Sequence, residues 1–124
     1  MLTEFLVPET VAHQNGESAV LDIGAAQGKT VLLTLGITRI VEQESIDVSI
    51  QGSPDKTTWT PILAFPQKFY CGTYAMVLDL TGHPDVQFLK ANWKLDRWGR
   101  GDGKPMFEFY LHAKQVEVRM MAAT

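Results

Sequence analysis

The chain has 124 residues, of which 45% are hydrophobic, 10% aromatic and 20% charged, with 11 basic side chains against 14 acidic ones for a formal net charge of -3. That composition suits a single globular domain spanning residues 1–124 and excludes a disordered or low-complexity chain. The mild acidity argues against nucleic acid as a partner, because neutralising a phosphate backbone takes a surplus of Lys and Arg on one face.

Cys71 is the single cysteine, so no intrachain disulfide can form, and no CxxC or Cys/His spacing prepares a zinc site. The fold must stand on packing alone. The opening segment MLTEFLVPETVAHQNGE has neither a basic start nor an apolar run of signal-peptide length. Apolar stretches elsewhere reach four or five residues, against the ~20 that a membrane helix needs. A cytoplasmic or virion location without a membrane span is expected.

In chain order, residues 2–7 read as an irregular opening strand. Residues 18–24, SAVLDIG, alternate, with Ala19, Leu21 and Ile23 on one side and Val20 and Asp22 on the other, which is the period of a strand. The GAAQGKT that follows is one residue short of a phosphate-binding loop and leads into a strand, so it reads as a hairpin loop. From 30 to 41, Val31, Leu33, Leu35 and Ile37 make one apolar face, with Thr34, Gly36 and Thr38 opposite. The EQES before Ile46 suits one helical turn, after which Ile46, Val48 and Ile50 alternate with Asp47, Ser49 and Gln51 up to the turn residues Gly52, Pro54 and Asp55.

A short strand is expected over 61–65, and another where Tyr74, Met76, Leu78 and Leu80 alternate with Ala75, Val77 and Asp79. Between 87 and 95, Leu89, Ala91, Trp93 and Leu95 oppose Lys90, Asn92 and Lys94, which sends Trp93 toward the core. WGRGDGKP then reads as a hairpin loop, with Phe107, Phe109 and Leu111 on the inner face of its return strand. The apolar phase moves to Val116, Val118 and Met120, and a bulge or a new strand would absorb the slip. The result is an all-β, antiparallel, two-sheet β-sandwich, jelly-roll-like, with about eight strands.

The segment DVSIQGSPDKTTWTPI, with Ser53, Asp55 and Trp59 marking strand, turn and strand, resembles the S-x-D-G-x-x-W pattern of discoidin-like (coagulation-factor type C, galactose-binding-like) jelly rolls. LDIG and FLKANWKL are similar to two further strands of those families and fall in the same order; Lys56 stands where a turn glycine is usual. The resemblance covers about half of the chain and implies a non-catalytic interaction domain, recognising glycans or lipids in many members. It also implies a calcium ion held by loop carboxylates, for which Asp55, Asp85 and Asp102 are the available side chains.

The patch from Trp93 to Lys104 combines aromatic rings, guanidinium groups and glycine-rich backbone, which together suit a sugar. Arg97, Trp98, Arg100 and Asp102 are the candidate ligand-binding residues; alternatively Trp98 packs over a sheet edge and the arginines pair with Asp96 and Asp102. Arg100, Gly101 and Asp102 match an integrin-binding tripeptide, a match of low specificity. His13, His83 and His112 lack metal-ligand spacing, and no nucleophile motif or paired-acid motif is present, so neither a metal, a cofactor nor an enzyme is expected.

Outward apolar positions, with Val77, Phe88 and Tyr110 foremost and Val20, Phe69 and Tyr70 beside them, mark an interface unless the 65–73 segment folds over them. The expected function is therefore a structural or assembly component, for example of a viral or other multimeric particle, with a homo-oligomer or protein partner. The alternative is a carbohydrate-binding module using the 93–104 loop.

Overall fold

The computed structural model describes residues 2–41, 44–98 and 105–117. The described residues form nine strands: β1 (Thr3–Ala12), β2 (Gly16–Glu17), β3 (Leu21–Asp22), β4 (Thr30–Ile40), β5 (Glu44–Ser53), β6 (Thr60–Ala64), β7 (Gly72–Asp79), β8 (Phe88–Arg97) and β9 (Phe107–Val116). They form two antiparallel sheets. One has the order β1-β9-β4-β7, and the other runs β2-β8-β5-β6 with β3 also paired to β8.

The alternation of the long strands explains the two layers. Val31, Leu33, Leu35 and Ile37 of β4 and Phe107, Phe109, Leu111 and Ala113 of β9 turn inward from the first sheet. Ile46, Val48 and Ile50 of β5 and Leu89, Ala91 and Leu95 of β8 meet them from the second. Each large aliphatic or aromatic side chain removed from water in this way contributes about 1.5–3 kcal/mol. Trp93 is half-buried at the margin of this core, its ring edge-on to Phe109 at 5.3 Å and its indole N–H donating to the Gln14 carbonyl at 3.2 Å.

The structure corrects the sequence expectations at several points. Residues 18–24 are not one strand: Ser18 Oγ accepts from Ala91 N at 2.8 Å between the short pairings of β2 and β3, and the chain bows out, exposing Ala19 and Val20. Glu44 and Ser45 extend β5 instead of turning as a helix. β9 keeps one register with β4 from Ile37↔Phe109 to Thr30↔Val116, so the expected slip near Ala113 does not occur; Val118 and Met120 lie outside the described residues. The ladder irregularities fall instead between Phe5 and Thr10 of β1 and between Ile37 and Arg39 of β4.

Neither glycine-rich connection is a hairpin. β3 and β4 lie in different sheets, as do β8 and β9, so GAAQGKT carries the chain across the sandwich, and WGRGDGKP, whose residues 99–104 lie outside the described residues, likewise joins strands of different sheets. The first does so through a 3-10 turn at Gly24–Ala26, with Asp22 Oδ1 accepting from Gly24 N at 2.9 Å.

Among the described residues, β5 and β6 are the consecutive strands that pair as a hairpin, and the turn lies between them. Asp55 Oδ1 accepts from Thr57 N at 2.9 Å and Thr58 N at 3.0 Å, and Ser53 Oγ accepts from Lys56 N at 2.8 Å. Lys56 has φ 69°, the left-handed conformation for which glycine is the usual residue, so the position demands the geometry even though the residue type differs.

Candidate functional site

Two surfaces stand out, and the sheet topology builds both. The first is the outer face of β1-β9-β4-β7. Its cross-strand rows are Ala75, Thr34, His112 and Phe5, then Thr73, Gly36 and Tyr110. Neither row carries an Asp, Glu, Lys or Arg. Val77 and Leu32 extend the same face, with Lys114 at one margin and, at the other, Glu9 and the Arg39–Glu108 ion pair at 3.1 Å. Val77 is 57% exposed and Phe5 52%. Phe5 stands edge-on to Tyr110 at 5.9 Å and to His112 at 4.9 Å, and with Pro8, Glu9 and Thr34 these residues line a shallow concavity of about 570 Å³.

The outer face of the other sheet is built differently. Glu17, Asp47, Lys90, Lys94 and Asp96 give it charge, with Lys90 Nζ 3.4 Å from Glu17 and 4.5 Å above the Trp59 ring. Phe88 lies here, half-buried and with Lys56 Nζ 4.8 Å from its ring centroid. Of the expected interface residues, Val77 and Tyr110 therefore share one face, and Phe88 lies across the sandwich from them. The 65–71 segment leaves Val77 exposed: Lys68 exchanges backbone hydrogen bonds with Ile46 at 2.9 and 3.0 Å, which holds the segment along β5.

The second surface is the end of the sandwich where four connections gather, those of β1 to β2, β4 to β5, β6 to β7 and β8 to β9. Trp98 is 59% exposed and stands edge-on to Phe69 at 5.9 Å; Phe69 in turn lies 6.4 Å from Tyr70, which is 74% exposed. Arg97, the last residue of β8, is half-buried, with its Nε shielded and unbonded among the described residues. Arg100 and Asp102 lie outside the described residues, as do the rest of that glycine-rich connection and the Arg-Gly-Asp tripeptide.

Glu44 supports this end from within. It is fully buried, and its carboxylate accepts from Val41 N at 2.9 Å and Met106 N at 2.8 Å, tying the β4–β5 and β8–β9 connections together. Nearby, His13 Nδ1 lies 3.2 Å from the Pro105 carbonyl, and Asn15 Oδ1 accepts from Leu95 N at 2.8 Å.

The three histidines are dispersed, His13 at this end, His112 on the outer face of the first sheet and His83 after the 3-10 turn at Leu80–Gly82. Among the described residues, no group of three or more His, Cys, Asp or Glu is placed to hold a metal ion. Asp55, raised above as a calcium ligand, is engaged by its own turn, and the Thr58 and Thr57 amides hold its carboxyl down at about 2. Asp79 is lowered likewise by the Thr81 hydroxyl and amide. No helix among the described residues is long and apolar enough to cross a membrane.

Sequence reading missed how these residues group. Phe69 and Trp98 meet because the β6–β7 and β8–β9 connections emerge at one end, a consequence of strand order that no local pattern encodes. Phe5 joins Tyr110 and His112 through β1, whose bulged ladder hides the alternation. Comparison with known proteins finds no family model that matches the chain and no matching curated protein.

Proposed function

We propose that this chain is a non-enzymatic interaction module that works by association, a structural or assembly component of a multimeric particle. The observation that carries the reading is the contrast between the two outer faces: one sheet presents charge across its face, and the other keeps its charges, Lys114, Glu9 and the Arg39–Glu108 pair, to the margins of uncharged central rows, with Phe5 and Val77 more than half exposed. An exposed apolar patch of this kind is the usual mark of a surface that is covered in the working state. The strand orders β1-β9-β4-β7 and β2-β8-β5-β6, with connections that cross between sheets, support a jelly roll, a scaffold much used in assemblies.

The test is molar mass in solution, by size-exclusion chromatography with light scattering over a concentration series. A defined multimer is expected, and replacing Phe5 and Val77 together by serine should alter its stability. A chain of one-copy mass, 13.8 kDa, at every concentration would refute the reading.

A second reading rests on the aromatic cluster. Phe69, Tyr70 and Trp98 offer apolar ring faces at a loop end beside Arg97, the combination that sugar rings stack on. A discoidin-like carbohydrate-binding module would show saturable glycan binding that Trp98→Ala abolishes without unfolding the chain. Unchanged binding in that variant would remove the cluster from consideration.

A further inference from the structure

Each sheet of a sandwich has two edges, and an unpaired edge invites another strand unless something blocks it. Among the described residues, three of the four edges are blocked. β1 contains Pro8 and two register shifts, β6 contains Pro61 and faces a register shift in its ladder with β5, and β2 and β3 are two residues each. The exception is β7. Its eight residues, GTYAMVLD, hold one unbroken register with β4 from Ile37↔Gly72 to Thr30↔Asp79, with no proline, no lysine and a single charge at the last residue.

The phase of the ladder shows which groups β7 offers. Leu80 N donates to Lys29 O at 2.9 Å, so by antiparallel alternation the even-numbered residues of β7 bond to β4. The backbone N–H and C=O groups of Thr73, Ala75 and Val77 then point away from the sheet, and these three residues are exposed.

We propose that β7 is the joint between copies of this chain: two copies pair β7 antiparallel about a two-fold at Met76, merging two four-stranded sheets into one of eight strands. The inference rests on the association reading above and names the surface that carries it. A second copy suits this edge better than an unrelated strand on two grounds. In this register Ala75 faces Val77 of the other copy and Thr73 faces Asp79, so each carboxylate meets a hydroxyl and no like charges are opposed. The two uncharged outer rows also end at Thr73 and Ala75, with Val77 beside them, so the pairing continues the face of one copy directly into that of the other.

The experiment compares the wild-type chain with Ala75→Pro, which removes an outward N–H that β4 does not use, and with Val77→Lys, which places a charge at an exposed edge position. Solution mass and backbone amide hydrogen exchange are read for each protein, with circular dichroism confirming a cooperative β fold. The expected result is a two-copy wild type with slowed exchange at Ala75 and Val77, and association weakened at least about tenfold in the folded variants. Two folding variants of independent design keep the test decisive should one of them misfold. A multimeric wild type with fast exchange at Ala75 and Val77, unaffected by either change, would overturn the β7 joint and leave association standing on another surface. A wild type of one-copy mass throughout would overturn both.

Discussion

Gly36 stands in the middle of β4, between β7 and β9, opposite Thr73 and Tyr110. The Tyr110 ring lies directly over it, and a Cβ built at Gly36 would collide with the ring carbons and the hydroxyl, well inside van der Waals contact. In Gly36→Ala the backbone cannot yield, because β4 is held by ladders on both sides, so the ring must swing away. Overpacking of this kind costs about 1–3 kcal/mol. The ring also gives up its edge contact with Phe5, worth about 0.5–1.5 kcal/mol. Against that, alanine in a strand gains about 0.5–1 kcal/mol over glycine. The net expectation is a loss of about 1–3 kcal/mol. Once Tyr110→Ala has removed the obstacle, the same Gly36→Ala change should be neutral or stabilising by up to about 1 kcal/mol. A double-mutant cycle by urea denaturation of the four proteins should therefore give a coupling of about 1–4 kcal/mol. Additivity within about 0.5 kcal/mol would refute the claim that the ring and the glycine share one space.

Glu44→Ala leaves the Val41 and Met106 amides without their buried acceptor and should cost on the order of 3 kcal/mol; a melting point lowered by less than about 3 °C would contradict it. Lys56→Gly relieves a left-handed residue at the cost of backbone entropy and of the ammonium over Phe88, so a gain of about 0.5 kcal/mol is expected, whereas Lys56→Val should destabilise; the reverse order would refute the strain argument. Asp55 has a folded pKa of about 2 against 3.8 in the free side chain, so its contribution to stability is complete above about pH 4 and is lost as pH falls toward 2. The difference in melting temperature between wild type and Asp55→Asn should accordingly close over that window, and a gap that persists at pH 2 would show that the charge is not what the Thr57 and Thr58 amides hold.

The layers were legible from sequence because the long strands alternate strictly: Val31 to Ile37, Ile46 to Ile50 and Phe107 to Leu111 each put large apolar side chains on one side, and all of them are buried. Connectivity was not. A glycine-rich turn that closes a hairpin and one that carries the chain across a sandwich need the same backbone freedom, so WGRGDGKP could not announce which it was. Ser18 misled for a related reason: its hydroxyl supplies one of the hydrogen bonds to β8 that a ladder would otherwise make, so the alternation of SAVLDIG continues past the point where pairing lapses. At the candidate site, Trp98 was visible as an exposed aromatic in a loop, and Val77 and Tyr110 as outward positions. Their company, Phe69 for Trp98 and Phe5 for Tyr110, depends on which strands are neighbours and lies beyond any local pattern.

The place of β9 has a consequence for how the chain comes to be folded on the ribosome. β9 lies between β1 and β4, and among the described residues β1 has no ladder except the one with β9. β1 therefore waits for β9, which is synthesised after all the other described strands, and until the β9 segment emerges the core lacks Phe107, Phe109 and Leu111. A nascent chain halted before β9 would leave Leu33, Leu35 and the inner side of β5 without the part of the core that Phe107, Phe109 and Leu111 supply. Folding is expected to follow completion of the β9 segment, on the slow millisecond-to-second scale of non-local β topologies, and the interval before it is when the chain is most exposed to aggregation.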